Sequence, residues 1–446
     1  MLQLLQGWSI PDAFQRVMQN REYCLNLEQW LEYLEQCHPS NIELGLDRIA
    51  DVASRLDISF PDSRVITVGG TNGKGSTVTM LSAILENAGY TTACYTSPHL
   101  LVYNERVRLG KRLATDEELC ASFADVEKAR GQIPLTYFEF GTLAALQLFA
   151  NLKPDFVILE VGLGGRLDAV NIVDPDLAIV TNVDLDHTDW LGDTREAIGF
   201  EKAGIFRASR PALIGETNPP DSVIQHALAI GATIMANGQA FSARQVAPDS
   251  WTWTGTGLNG EQLEIPDLPV NDFPLDNCST VLMAINALTP DISLAHIRAG
   301  LANTRMTGRF QLVEGRYPTV LDVAHNPHAA RRLVQMVRER YPECRPVILL
   351  AMLADKNYQE VLQILGQLEP EWFVAGIQDA RGLEGKILYN LLLESGQDNV
   401  HCFNTIAEAY VAADQFMESI QNGAGNGHVL LVTGSFFTVT AVLELI

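Results

Sequence analysis

The chain has 446 residues, with 31 Lys plus Arg against 54 Asp plus Glu, for a formal net charge of −23. An acid excess of this size argues against the broad basic face that bulk binding to nucleic acid or to an anionic membrane requires. With 47% hydrophobic and 19% charged residues the composition is globular, neither disordered nor fibrous, and the length predicts two or three domains at roughly 100–200 residues each.

The first residues, MLQLLQGWSIPDAF, carry neither a positive segment nor a sustained apolar one, so no secretion leader is expected. No stretch reaches the roughly 18 uninterrupted apolar residues of a membrane span, which leads to the expectation of a soluble, cytoplasmic protein. The seven cysteines (Cys24, Cys37, Cys94, Cys120, Cys278, Cys344, Cys402) form no C-x-x-C pair. They read as reduced thiols serving as buried small hydrophobes.

Short apolar runs recur along the first two thirds of the chain: Val65–Val68, Phe156–Leu159 and Leu177–Val180. Runs apolar at nearly every position are strands buried on both faces, which implies a parallel sheet covered by helices. Ligands of such sheets bind beyond the carboxyl ends of the strands. The residues closing these runs are therefore the place to look for chemistry.

Val65–Val68 runs into Gly69-Gly70-Thr71-Asn72-Gly73-Lys74-Gly75-Ser76-Thr77 and then into an amphipathic stretch ending at Gly89. In a strand, glycine-rich loop and helix of this kind, backbone N–H groups curl around phosphate oxygens, the helix N-terminus adds partial positive charge, and Lys74 supplies a mobile cation. The match to the general P-loop pattern is imperfect, because Val68 stands where the first Gly is expected and Gly75 follows the lysine in place of Ser or Thr. That departure points away from GTPases and motors and toward a ligase variant.

The second run ends in Glu160 and the third in Asn182-Val183-Asp184-Leu185-Asp186-His187. Carboxylates at strand ends beside a P-loop are where the oxygen ligands of a magnesium nucleotide belong. His187 by itself reads equally as a structural histidine, since magnesium prefers oxygen to imidazole. Gly162–Asp168 fails the dinucleotide fingerprint at Leu167 and reads as a flexible loop presenting Arg166 and Asp168 to a ligand. The spacing around Lys202 says nothing beyond an ordinary solvated lysine.

The segment from about Gly238 to Pro274, with its Trp251–Thr254 alternation, reads as short antiparallel strands decorating the first domain. Helices are expected from about Thr280 to Leu288 and Leu294 to Ala302. The βα rhythm then restarts, with strands at Thr319–Val323, Pro346–Met352, Trp372–Ile377, Val400–Phe403 and Val429–Thr433. Asn326 and Pro327 are helix-start chemistry, Asn at the N-cap and Pro at the first helical position, and need no functional explanation. Asp322 and His325, at a strand's carboxyl end, could be structural or functional on spacing alone.

Taken together, Gly70–Ser76 (GTNGKGS), Thr96–Leu100 (TSPHL), Asn104–Arg108 (NERVR), Tyr137–Thr142 (YFEFGT), Glu160–Asp168 (EVGLGGRLD), Asp186–Thr188 (DHT), Glu201–Ile205 (EKAGI), Gly308–Phe310 (GRF) and Asp322–Pro327 (DVAHNP) resemble the folylpolyglutamate synthases. More closely they resemble the bacterial bifunctional dihydrofolate synthases/folylpolyglutamate synthases, a branch of the Mur-type ligases, in order and over nearly the whole chain. The resemblance implies an α/β fold in two parts. Residues 1–303 would form a P-loop, Mur-ligase-like domain with a mainly parallel sheet plus a small antiparallel sheet, and residues 304–446 a Rossmann-like α/β domain. The active site would lie in the cleft between them.

It further implies ATP and Mg2+ as cofactors, and dihydropteroate, reduced folates and L-glutamate as substrates of a monomeric enzyme that binds no nucleic acid and no membrane. By motif, Gly70, Thr71, Asn72, Gly73, Lys74, Gly75 and Ser76 would hold the ATP phosphates, joined by Asn277, Arg309 and Asp322. Ser97, Glu160 and His187 match one magnesium site, and Lys202 matches a lysine carbamylated to bind a second magnesium. His325 resembles a residue near the phosphate transfer, making Lys74, Glu160, His187, Lys202 and His325 the catalytic set. Gly45, Leu46, Asp47 and Arg48, with Tyr137, Phe138, Glu139, Arg166, Leu167 and Asp168, would surround the pterin end of the substrate.

The implied chemistry is self-consistent. A carboxylate and an amine do not condense unaided in water, so ATP first phosphorylates the acid and the glutamate amine then attacks the acyl phosphate. Alternatives with the same ATP machinery are a folylpolyglutamate synthase without the dihydropteroate reaction and another Mur-type amino-acid ligase. A P-loop switch module would not need the dense strand-end acids or cations from a second domain.

Overall fold

The computed structural model describes residues 25–38, 43–257, 260–288, 292–421 and 427–446. Residues 1–24, on which the expectation of no leader and the reading of Cys24 rest, lie outside these. Eight strands form the first sheet: β1 (Arg64–Gly69), β2 (Thr92–Tyr95), β3 (Val107–Leu109), β4 (Arg112–Leu113), β5 (Phe156–Glu160), β6 (Leu177–Val180), β7 (Pro211–Ile214) and β8 (Thr233–Ala236). Their order is β4-β3-β2-β5-β1-β6-β7-β8. From β2 to β8 the pairing is parallel, while β3 and β4 add an antiparallel edge.

Residues in these strands alternate between two cores. Val65, Val157, Leu159, Ala178 and Val180 enter one, with Trp30, Phe123, Phe140 and Leu143. Ile66, Val68, Ile158, Ile179 and Leu213 enter the other, with Val78, Leu81 and Ile84 of the helix Lys74–Asn87. Period-two alternation into two apolar layers is why the runs are hydrophobic at nearly every position.

The expected antiparallel decoration is a three-stranded sheet of β9 (Phe241–Ala247), β10 (Ser250–Thr256) and β11 (Gln262–Pro269). Trp251 and Trp253 dock it onto the second core, and the Trp253 indole N–H donates to Ser279 O at 3.1 Å. The next helix starts at Leu275, one and a half turns before the position expected from periodicity. That extension carries Asn277 into the site.

The third sheet comprises β12 (Gln311–Val313), β13 (Thr319–Leu321), β14 (Arg345–Leu350), β15 (Glu371–Ala375), β16 (Val400–Phe403) and β17 (His428–Thr433). Its order is β12-β13-β17-β14-β15-β16, parallel except at β12–β13. It therefore has six described strands where the sequence suggests about five. β12 is a three-residue edge strand with Leu312 facing solvent, too short and mixed to show as an apolar run.

The cysteines depart from expectation. Cys94 and Cys278 are buried, but Cys37, Cys120 and Cys344 are only partly so, and Cys402 is exposed because β16 is an edge strand.

Candidate active site

β1 is the centre of the first sheet, with Val68 opposite Glu160 of β5 and Gly69 opposite Val180 of β6. The phosphate-loop candidate therefore leaves β1 between the ends of β5 and β6. Gly70 has φ 140°, and a Cβ there would collide with the Thr181 hydroxyl. Gly73, the N-cap of the helix Lys74–Asn87, has the left-handed φ 83°, and the Asn277 amide occupies the space a Cβ would need. Both positions require glycine for conformation and for room.

The loop is pinned from β6. Asn72 N–H donates to Asn182 Oδ1 (3.0 Å), and Thr181 Oγ1 donates to Asn72 O (2.7 Å). The N–H groups of the helix's first turn have no partner within the helix, which makes its N-terminus an anion seat. Lys74 folds back over the loop, its Nζ donating to Gly70 O (3.0 Å) and Thr71 O (3.2 Å). Asn277 Nδ2 donates to Ser76 Oγ (3.1 Å), joining these two sequence-distant candidates.

Lys202, in the last turn of the helix Arg195–Ala203, is 5% exposed and donates from Nζ to Gly70 O at 3.0 Å. Burial, with the charge of Lys74 added, lowers its pKa to about 7. Nothing in its spacing anticipates this. Glu160 is equally buried, and one carboxylate oxygen accepts the Ser97 N–H at 3.2 Å. Burial raises its pKa and Lys74 opposes the rise. His187 adopts a left-handed φ of 53° at the start of a short helix, which turns it out of the strand direction.

From the third sheet, Asp322 accepts the N–H groups of Phe310 and Ala324, each at 2.8 Å. The Arg309 guanidinium lies 5.4 Å from the Phe436 ring centroid, and its charge acts on both Asp322 and Glu160. His325 Nδ1 is 2.8 Å from Val323 O, so that nitrogen carries the proton, and Nε2 lies 3.7 Å from Asp186 Oδ2. Asp186 also pairs with Lys356 (Nζ to Oδ1, 2.7 Å), both side chains nearly buried. Burial by itself would raise the Asp186 pKa, but His325, His187 and Lys356 hold it well below the carboxylate range.

Sequence reasoning gave Asp186 no role of its own and missed Lys356. Lys356 follows the carboxyl end of β14, so the strand-end rule used elsewhere could have found it. It also missed the second contact of Asn326. That residue caps its helix as expected (Ala329 N to Oδ1, 2.9 Å), but its Nδ2 reaches Asn72 Oδ1 (3.0 Å).

The residues expected around the pterin end of the substrate are partly gathered. Phe138 covers Gly162, and Leu46, Tyr137, Phe138 and Leu163 pack on one core. Gly45, Leu46 and Asp47 form the entry to the helix Asp47–Arg55, and Arg48 is the residue of this turn that bridges to Glu139 (3.1 Å). Glu139 also accepts Thr136 N–H at 2.8 Å in a capping box, so its carboxylate has structural work to do.

The Gly162–Asp168 loop, read from the sequence as flexible, is tied to its surroundings by hydrogen bonds. Arg166 N–H donates to Glu201 O (2.8 Å), its guanidinium pairs with the Glu201 carboxylate (2.9 Å), and Leu163 N–H donates to Asp168 (2.8 Å). Gly165 is pressed against the Glu201 and Lys202 carbonyls, which permits this close packing. Leu167 is half-buried, and burial raises Asp168 to a pKa of about 6.

Glu105 is a further positioning group. Its carboxylate accepts the N–H groups of Leu100 (2.8 Å), Leu101 (2.8 Å) and Val102 (2.9 Å), shaping the loop that follows Ser97. Leu100 then packs on the core of the third sheet, and Thr440 Oγ1 donates to its carbonyl (3.1 Å).

Among the described residues no three His, Cys, Asp or Glu side chains form a metal cluster, and no helix is long and apolar enough to cross a membrane. The donor set of Ser97, Glu160 and His187 with a modified Lys202 nevertheless suits magnesium, which binds through one or two carboxylates and leaves its other positions to water and phosphate. The Glu160 carboxylate, buried and facing the phosphate loop, is the observation that supports the fit.

A P-loop on a parallel sheet, faced by an arginine and an acid from a second α/β sheet, defines an ATP-dependent ligase of the Mur type. In agreement, residues 68–251 match the Mur ligase middle domain and residues 308–436 the Mur ligase glutamate ligase domain. The chain belongs to the dihydrofolate synthase/folylpolyglutamate synthase family. It is 42% identical to the dihydrofolate synthase/folylpolyglutamate synthase of Escherichia coli K12, over 94% of this chain and 95% of the relative. With that of Haemophilus influenzae it shares 41%, over 94% and 98%.

Two solved structures superpose over 95% of this chain and 98% of theirs, each with a TM-score of 0.87. One is E. coli FolC in complex with DHPP and ADP, at 40% identity. The other is the Yersinia pestis bifunctional folylpolyglutamate synthase/dihydrofolate synthase complexed with AMPPNP and Mn ion, at 42%. The chain is thus an ATP- and divalent-metal-dependent ligase of folate metabolism.

Proposed function

We propose that this chain adds L-glutamate to dihydropteroate, giving dihydrofolate, and to the γ-carboxylate of reduced folates, giving polyglutamates, through an acyl phosphate. The observation that supports the reading is that the charges of Lys74, Glu160, Lys202 and Asp186 on the side of the first sheet act on one another and on those of Arg309, Asp322 and His325 on the side of the third. Residues 1–303 and 304–446 are its two domains, and it works as a cytoplasmic monomer without nucleic acid. Two relatives' solved structures, one with DHPP and ADP and one with Mn, AMPPNP and L-glutamate, support the substrate assignment.

In this reading the helix N-terminus and Lys74 grip the terminal phosphates. Arg309 closes from the opposite side, where its charge and that of Lys74 stabilise the negative charge spreading over the transferring phosphoryl. Asp322 fixes the turn that carries Arg309, through the Phe310 N–H. The pinned Gly162–Asp168 loop and Phe138 hold the pterin end so that the acceptor carboxylate is aligned for in-line transfer.

Ser97, Glu160 and His187, with a carbamate on Lys202, would hold magnesium, which when bound neutralises phosphate charge. An amine with a pKa near 7 keeps a reactive neutral fraction, which favours carbamate formation at that lysine. Turning that cation into an anionic oxygen donor removes its repulsion of Lys74.

The test is phosphate release from ATP with magnesium. It is expected only when dihydropteroate or a reduced folate is present together with L-glutamate, and hydroxylamine in place of glutamate is expected to trap a hydroxamate. Release indifferent to the folate would sink the reading. Activity on dihydropteroate as sole acceptor separates the bifunctional enzyme from a pure folylpolyglutamate synthase.

A further inference from the structure

We infer that Asn326 is a positioning residue that ties the second domain to the phosphate loop through Asn72, so that the placement of ATP and the placement of the second domain are one coupled event. The inference rests on the reading that ATP phosphates sit on the loop Gly70–Ser76.

The two side chains form a reciprocal amide pair. Asn326 Nδ2 donates to Asn72 Oδ1 at 3.0 Å, and Asn72 Nδ2 donates to Asn326 Oδ1 at 3.4 Å. Asn326 Nδ2 also lies 3.4 Å from Asp186 Oδ2, and Asn72 Nδ2 lies 3.2 Å from His328 Nδ1. Asn326 is 3% exposed, so water competes little for these bonds.

The main chain of Asn72 is fastened to its own sheet by Asn182 and Thr181, whereas its side chain makes its hydrogen bonds to the second domain. A movement of the loop is therefore delivered directly to the start of the helix Pro327–Arg340. Helix capping needs only an acceptor oxygen, which Ser or Asp would supply equally well. The amide Nδ2 is the part of Asn326 that capping does not use, and that part makes the bridge.

The experiment uses the full chain with Asn326→Ser, Asn72→Ala and the double variant. Asn326→Ser keeps a capping oxygen but is too short to reach Asn72. Losing two paired bonds is expected to lower kcat by about tenfold or more. The melting temperature of Asn326→Ser should stay at the wild-type value and KM for ATP within about threefold. The double variant should be no slower than the slower single, because both changes remove one interaction. Should the serine variant melt early, Asn326→Thr, which also keeps a capping oxygen and lacks the amide, is read the same way.

Wild-type kcat in Asn326→Ser, or losses that multiply in the double variant, overturn the inference. Folate-dependent phosphate release by the unaltered chain tests the ligase reading separately, so the two can fail independently.

Discussion

Lys74 and Lys202 donate to the same oxygen, the Gly70 carbonyl, each at 3.0 Å. Burial, with the repulsion between two ammonium groups on one carbonyl added, drives the Lys202 pKa down to about 7 against 10.5 for a free lysine. Between those values the unfolded chain holds more protons than the folded one, so the contribution of Lys202 to stability grows as pH rises through this window. In chelator and CO2-free buffer, the melting temperature is expected to climb between pH 7 and 9, with a shallower slope in Lys202→Met. Equal slopes would show that Lys202 is not a buried amine of depressed pKa. The same variant should lose turnover by orders of magnitude.

Glu160 and Lys74 are each buried at a cost that the other offsets. Glu160→Gln keeps the shape but removes the charge, and turnover is expected to fall on the order of 100-fold or more, as for other preorganised electrostatic groups. Lys74→Ala should lose at least as much. Circular dichroism should show both variants folded. Chelation of divalent metal should stop the wild-type reaction and its re-addition restore it; near-normal rates in either variant would remove that residue from the mechanism.

The Asp186–Lys356 pair joins the end of the first sheet to the end of β14 with both side chains nearly buried. Removing one member of such a pair leaves an uncompensated charge, at about 3–5 kcal/mol. His325 partly compensates, so Lys356→Ala is expected to lower kcat/KM by about ten- to a hundredfold, corresponding to about 1.4–2.8 kcal/mol. Lys356→Met, which keeps the bulk, should be no better. Steady-state kinetics with all three substrates varied will read this, and unchanged kcat/KM would mean that the pair has no part in turnover.

Glu105 holds three successive backbone N–H groups. Glu105→Ala should release the loop Leu100–Val102, speed its proteolysis, and cut turnover by moving Ser97 away from Glu160. Limited proteolysis followed by mass spectrometry gives the cleavage position. An uncut loop with normal rates would leave Glu105 as a surface cap.

The charge of −23 sets a further expectation, because ATP, glutamate and the folate tail are all anionic. The whole-protein field opposes their approach, so binding depends on local cations such as Lys74 and Arg309 and on metal. Added salt screens the long-range repulsion over a Debye length of about 10 Å at 0.1 M. Stopped-flow association of a fluorescent ATP analogue should therefore slow little, or quicken, from 20 to 200 mM salt. A steep decline would point instead to a basic approach path.

Much of this protein is determined locally and can be read from the sequence. The strands β1, β5, β6 and β14 are apolar at nearly every position because each faces two cores, and the glycines at 70 and 73 announce backbone that only glycine adopts. The strand-end rule pointed to Glu160 and to the group of acids after β6 from the order of residues alone, and left Asp322 open between a structural and a functional reading. Edge strands such as β3, β4 and β12 escaped because they are two or three residues long and bury little.

The tertiary structure alone decided what distance in sequence hides. Lys202 reads as a solvated lysine until the fold brings it to Gly70, 132 residues away, and strips it of water. Asn326 reads as a helix cap until Asn72, 254 residues away, is found against its amide. Lys356 gains its role only when β14 of the third sheet faces the end of β6. Propensity, capping and turn chemistry act within a few residues. Desolvation and pairing across a cleft depend on which surfaces meet, and that is settled by packing the two sheets together.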